Sequence, residues 1–448
     1  MPDSAVPESR HALAVACIGA ATDHHARDEL ANEVHARPFL RIETPARVTH
    51  LAILAASDQD AEIHARLAAD FCTALEIPPP APGARHLTHS GAGLQIKWER
   101  HTEFSTLTVV GPGGGQDPFA AWNDPALQAP LEWTGRVAGK RLAALQIEVL
   151  KGEAASLARD HLERWFVKRG MVGSRVLGSG EVWCDWQIGS DGFSRFLVLD
   201  LGFRENQVGR LVQRLAEIET YRLMALLALP IARGMLGQLE QLDAALGEVM
   251  CRMASGHNDL SGHSDADLLL ALTELAGKVE GLSSGASRFS AARAYDQLVL
   301  ARIQELREER IEGVPTIGEF MERRLSPAMD TCRSVQQRQA DLAVRIARAI
   351  DLLRTRVNLV QERQVTELLS GMNRTASTQL KLQHAVEGLS VVAISYYAVS
   401  LISHILSALN ELGLRIHVAV AEMFLIPVVL LLSFLMVRGV RRRLTKTP

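Results

Sequence analysis

Three clusters in this sequence carry residue types able to do chemistry. In Asn32-Glu33-Val34-His35-Ala36-Arg37-Pro38-Phe39 the residues Glu33, His35 and Arg37 alternate, so an extended backbone sets all three on one face. A carboxylate, an imidazole and a guanidinium so placed suit a metal or an anion. The plainer reading is an Arg–Glu pair beside a histidine buried at the approach to the first strand. Glu99, His101 and Glu103 alternate in the same way within Trp98–Phe104. They straddle a strand connection, where exposed edge charge accounts for them.

The third cluster is near the C-terminus. Tyr396, Ser400, Ser403 and Ser407 follow at spacings of 4, 3 and 4, which makes one polar helical stripe with Tyr397 and His404 beside it. In lipid such a stripe faces another helix or water. It is therefore either a hydrogen-bonded seam between helices or the lining of a path for an ion or solute. Glu422 and His417 lie at the outer mouth of the second apolar run, where Glu422 is a membrane carboxylate.

No catalytic residue, metal or cofactor can be named from these clusters. Gly111-Pro112-Gly113-Gly114-Gly115 lacks the Lys-Ser/Thr of a P-loop, and neither GxSxG nor HExxH occurs. His24-His25 stands alone. The five cysteines (Cys17, Cys72, Cys184, Cys251 and Cys332) form no CxxC pair, which argues against a zinc site or disulfide framework.

The elements that must position these residues follow from pattern. A chain of 448 residues, with 5% aromatics and abundant Ala, Leu and Arg, calls for two or three units rich in helix. The reading is an α+β protein: an N-terminal α/β domain over 1–205, helical stalk elements over 206–326, and a long stalk helix over 327–387. Strands are expected at Arg47–Ala55, Leu94–Glu99, Glu103–Val110, Leu142–Val149, Glu181–Ile188 and Phe193–Leu201, with a helix at Asp58–Leu75. Gly189-Ser190-Asp191-Gly192 signals a hairpin. Val208–Met253 reads as one helix kinked at Pro230; its apolar run 223–231 is too short to span a bilayer. Apolar residues at Leu342, Ile346, Ile350, Leu353, Val357 and Val360 give the long helix one packing stripe.

Two apolar runs close the chain. Gly388–Leu409 has 22 residues without Asp, Glu, Lys or Arg, and Val418–Val437 has 20 with Glu422 alone. Each is long enough to cross a hydrocarbon core of about 30 Å. A short external loop over 410–417 would join them as a hairpin, and 438–448 would form a basic tail. Arg374 and Lys381 precede the first run, and Arg438, Arg441, Arg442, Arg443 and Lys446 follow the second. The positive-inside rule then puts the N-terminal domain and the C-terminus in the cytoplasm. The weakly apolar segment His11–Ala21 follows Asp3 and Glu8, so no cleaved signal is expected and attachment would come from the C-terminal runs.

Several stretches resemble a bacterial family of uncharacterised membrane-anchored proteins that carry a domain of unknown function: 32–39, Trp98–Phe104, Gly209–Pro230, Glu305–Gly313 and Glu387–Tyr397. The resemblance implies a soluble domain on a C-terminal membrane region, and it implies no activity. The architecture alone resembles CorA-type magnesium transporters, which are pentamers. The Gly371-Met372-Asn373 tripeptide, however, precedes the first run here, whereas in that family it ends the first span.

The expectation is an inner-membrane protein whose partners are the bilayer, further copies of itself, and anionic lipid headgroups at the basic tail. Nucleic acid is not expected as a partner. Such a protein would be an ion or solute pathway, or alternatively a scaffold or sensor whose cytoplasmic domain binds a partner. An enzyme at the membrane surface ranks below both.

Overall fold

The computed structural model describes residues 24–27, 30–31, 39–55, 58–91, 93–114, 117, 119, 141–152, 156, 158–204, 206–255, 265–411 and 418–444. The chain divides into two units. The sheet unit holds residues 1–258 and 270–347, and the helical unit holds 259–269 and 348–448. The sheet unit thus runs well past residue 205.

Its strands are β1 (Ala46–Leu54), β2 (His86–Gly91), β3 (Leu94–Arg100), β4 (Phe104–Pro112), β5 (Arg141–Lys151), β6 (Val172–Val176), β7 (Gly180–Ile188), β8 (Ser194–Asp200) and β9 (Glu309–Arg310). They form one nine-stranded sheet in the order β2-β3-β4-β1-β5-β8-β7-β6-β9. Neighbours are antiparallel except β5 and β8, which run parallel. The described helices are α1 (Asp58–Ala74), α2 (Gln207–Leu226), α3 (Ala228–Ser255), α4 (Asp265–Gly281), α5 (Ala286–Leu306), α6 (Ile317–Arg324), α7 (Ser326–Glu411) and α8 (Val418–Leu444).

The six expected strands and the first helix are present within one or two residues of their expected bounds. The strands that pattern missed are β2, β6 and β9. β2 (HLTHSG) is polar and largely exposed, β6 is five residues long and β9 only two. None of the three has an apolar run to betray it. The expected hairpin joins β7 to β8, with Gly192 at φ +82° and the Gly192 N–H donating to the Gly189 carbonyl at 2.9 Å. Only glycine adopts that backbone freely.

Side chains alternate across the sheet and so divide it into two faces. Leu51, Ile53, Ile96, Trp98, Leu107 and Val109 take one face and pack with Ala68 and Phe71 of α1. Fully burying each large apolar side chain contributes about 1.5–3 kcal/mol. The opposite face of β1, β3 and β4 presents His50, Lys97, Glu99, Thr106 and Thr108, and α2 lies over it. The apolar positions of α2 that are buried include Val208, Leu211, Val212, Leu215 and Ile218, as its spacing predicts.

The expected single helix over 208–253 is two. It divides at Leu227, and Pro230 falls in the first turn of α3, where a missing N–H costs no helical bond. Buried Glu219 anchors α2 by accepting both Arg222 bonds at 2.8 Å and the Ser194 hydroxyl of β8 at 3.3 Å.

In the helical unit, α7 buries Ala349 and Leu353 and then leaves every residue from 361 to 386 exposed. The whole of α7 is 86 residues long, about 130 Å at about 1.5 Å per residue. Further along it Ser395 is buried, and α8 buries Val429 and Ser433 one turn apart. Among the described residues two helical stretches, 207–254 and 317–408, are long and apolar enough to cross a membrane, and Met423–Met436 is a shorter apolar helix. A third of the apolar window is buried in the first stretch and 6% in the second.

Candidate functional site

A cavity of about 240 Å³ lies in the sheet unit between strands β1, β3 and β4, helix α2, and Arg302 of α5. Leu40, Ile42, Phe104, Val212 and Ala216 give it an apolar wall. Gly209 lets the first turn of α2 approach that wall: a Cβ there would stand 1.8 Å from the Leu40 carbonyl oxygen.

His50 sits on the sheet side. Its Nδ1 is 2.8 Å from the Thr108 hydroxyl and its Nε2 is 3.2 Å from the Thr220 hydroxyl. One ring nitrogen donates and the other accepts, which is what a neutral imidazole requires. Burial, with lesser contributions from His101 and Lys97, holds its pKa down at about 3.

Lys97 and Glu99 stand two residues apart on β3, hence on the same face. Their side chains are 5% and 13% exposed, and Nζ lies 3.1 Å from the Glu99 carboxylate. The strand LQIKWER sends Ile96 and Trp98 into the apolar core, so its charged residues turn toward α2. Edge exposure does not account for this cluster. β2 pairs with β3 and removes its edge, and α2 covers the face. His101 also lines the cavity and stacks on Phe104 at 4.4 Å between ring centres. Glu103 turns elsewhere, accepting from Arg288 and from the Tyr295 hydroxyl, each at 2.8 Å. Burial and that bond to Glu103 push the Tyr295 phenol well above its usual range.

The far wall is a closed ionic network. Glu217 accepts from Gln213 at 2.7 Å and from Arg302, which also donates to Glu305 at 2.7 Å. Arg214 completes Glu305 at 2.8 Å. Tyr221 stacks on Tyr295 at 5.8 Å. Pattern alone missed His50, Lys97, Glu217, Thr220, Tyr221 and Arg302 as site residues. The available signal was a histidine inside the apolar run of β1 and a lysine between Ile96 and Trp98.

Glu33, His35 and Arg37 lie outside the described residues, just before Leu40 of the cavity wall. Among the described residues no group of three His, Cys, Asp or Glu could hold a metal ion. Burial raises the thiols of Cys72, Cys184 and Cys332, so they are packed hydrophobes rather than nucleophiles.

The C-terminal stripe falls on α7. Tyr396 and Tyr397 are 70% and 72% exposed, Ser400 and Ser403 are half-buried, and Ser407 is exposed. The His404 Nδ1 lies 2.7 Å from the Ser400 carbonyl. The buried serine is Ser395, one residue off the expected stripe. Glu422 lies in α8, as do Arg438 and 441–443. The stripe continues a longer pattern: Val365, Leu368, Met372, Thr375, Gln379, Leu382, Val386, Leu389, Ala393, Tyr396, Ser400, Ser403 and Ser407 alternate by three and four. Glu367, Arg374 and Lys381 recur every seven residues off that line. The line repeats every 3.5 residues on average and is largely exposed.

No curated protein and no solved structure matches this chain, and no match to CorA-type transporters accompanies the family result. A family described as a protein of unknown function (DUF3422) matches residues 22–444. That match spans nearly the whole chain, and the protein belongs to the DUF3422 family.

Proposed function

We propose that this protein is a membrane-anchored sensor: its sheet unit binds a small polar ligand, and the C-terminal helices hold that unit at the cytoplasmic face of a bacterial inner membrane. The observation that carries the reading is the cavity, whose buried polar walls are held in place by α2 and α5. An anchor is supported by the apolar faces of α7 and α8, and the orientation by Arg374, Lys381 and the basic residues after 437. That tail is suited to anionic headgroups. The heptad from Val365 to Ser407 supports self-association, since an identical helix in register offers each residue its counterpart. In inverted membrane vesicles, protease added outside should digest the sheet unit, and alkaline washing should leave the protein in the pellet. Protection of the sheet unit, or release by the wash, overturns the reading.

A solute pathway is the second reading, favoured by the polar residues Tyr396, Ser400 and Ser403 on the same seam. It requires ion flux in liposomes that Ser400→Leu with Ser403→Leu abolishes while assembly persists. A protein that runs as a strict monomer in mild detergent excludes it.

A further inference from the structure

Three buried or half-buried carboxylates elsewhere in the sheet unit, Glu148, Glu308 and Asp200, each accept two or three hydrogen bonds. Glu148 takes Arg47 and the Gly114 N–H, and Glu308 takes Ser174 and the N–H groups of Ile317 and Gly318. Asp200 takes Thr44 and the N–H groups of Gly202 and Phe203. The Lys97–Glu99 pair differs. Among the described residues each has the other as its one polar partner, although an ammonium offers three donors and a carboxylate about four acceptor sites. Both side chains are nearly buried and both line the cavity. Leaving such capacity unused is costly, so it is met by water or by a ligand that enters the cavity and displaces that water.

The entering group must match both members. A ligand with one charge would leave an uncompensated charge beside two nearly buried ones. Across the cavity Glu217 and Arg302 already compensate each other, with Gln213 and Glu305 as further partners. A ligand with both charges adds no net charge and bonds to Lys97 and Glu99 together. The apolar wall of Leu40, Phe104, Val212 and Ala216 then takes a hydrocarbon side chain. The volume of about 240 Å³ is that of about eight water molecules, at about 30 Å³ each, which limits the ligand to a compact molecule.

We infer that the cavity binds a small zwitterion of the α-amino-acid class, its carboxylate on Lys97, its ammonium on Glu99 and an apolar side chain against α2. This assignment rests on the sensor reading and names the ligand class of that site.

Calorimetric titration of the full-length chain in detergent with leucine, leucinamide and N-acetyl-leucine tests it. Leucine is expected to bind, and each analogue lacks one charge and should bind at least about tenfold more weakly. Lys97→Met and Glu99→Gln should each weaken leucine by a similar factor, while Lys151→Met on the exposed end of β5 should leave it unchanged. The analogue comparison uses the natural chain and so survives a variant that fails to fold. Equal binding of leucine and either analogue overturns the zwitterion and leaves the sensor reading standing. Leucine binding unaffected by a folded Lys97→Met chain overturns the site. Absence of binding by all three compounds overturns the zwitterion, while the sensor reading stands or falls with the vesicle experiment.

Discussion

In the sheet unit, charged residues are drawn inside and matched: Glu219 with Arg222 and Ser194, Glu148 with Arg47, Glu308 with the first turn of α6. In the helical unit the reverse holds. Val365, Leu368, Met372 and Leu382 are more than half exposed on α7, and Met423, Phe424 and Met436 are likewise exposed on α8. One region spends polar groups on internal order, and the other leaves apolar groups for surroundings outside the chain. The proposed ligand site lies in the first region, and the proposed contact with a bilayer or a second copy lies in the second.

The contrast can be broken most sharply at Glu219. Glu219→Ala strands Arg222, which is 15% exposed, and the Ser194 hydroxyl. Removing one partner of a buried pair costs about 3–5 kcal/mol, read as a lowered melting temperature of the sheet unit. A loss below about 1 kcal/mol, the value of an exposed pair, would show that the pairing in this unit is ornamental.

Acid should act next. Folded His50 stays neutral down to about 3, whereas the unfolded chain protonates it below about 6.5. Between those limits the unfolded state binds more protons, so stability is complete above pH 6.5 and falls as the pH drops toward 3. The loss from this group is on the order of a few kcal/mol at the acid end. His50→Gln should flatten that part of the pH–stability curve, and an unchanged slope counts against a buried neutral imidazole.

Gly209→Ala is the third test, because its Cβ would meet the Leu40 carbonyl oxygen at 1.8 Å. Forcing that contact costs about 1–3 kcal/mol and should lower the urea midpoint. A midpoint within error of the natural chain would mean that α2 does not press on the cavity wall.

The smallest effect on folding belongs to the helical unit. Met372→Asp alters a position that is 68% exposed within the chain, so melting of the sheet unit should stay within about 0.5 kcal/mol of the natural chain. The same change puts charge into the heptad line and should lower the mass measured in mild detergent. An unaltered mass would remove the seam from any account of assembly.

Much of this was legible in the residues alone. The period-two runs of β1, β3, β4, β5, β7 and β8 and the turn at Gly189–Gly192 announce their elements, because alternation and turn chemistry are local. The apolar runs of α7 and α8 are equally local. β2 and β9 were not legible, since an exposed or two-residue strand exists only through the partner that pairs with it. The candidate site was half legible. Glu99 and His101 attract notice by spacing, yet spacing places them at an exposed edge.

The sequence by itself determined the helical character after residue 206 and most strands, though not the division of 208–253 at Leu227 or helix α6. It also determined which residues of β3 share a face, since backbone geometry alone sets a period of two. The tertiary structure decided whether that face is wet or closed. β2 pairs along the strand, and α2, more than a hundred residues later in the chain, lies across Lys97 and Glu99 and turns surface charge into a cavity wall. Burial depends on what arrives from a distance, and no local pattern encodes that arrival.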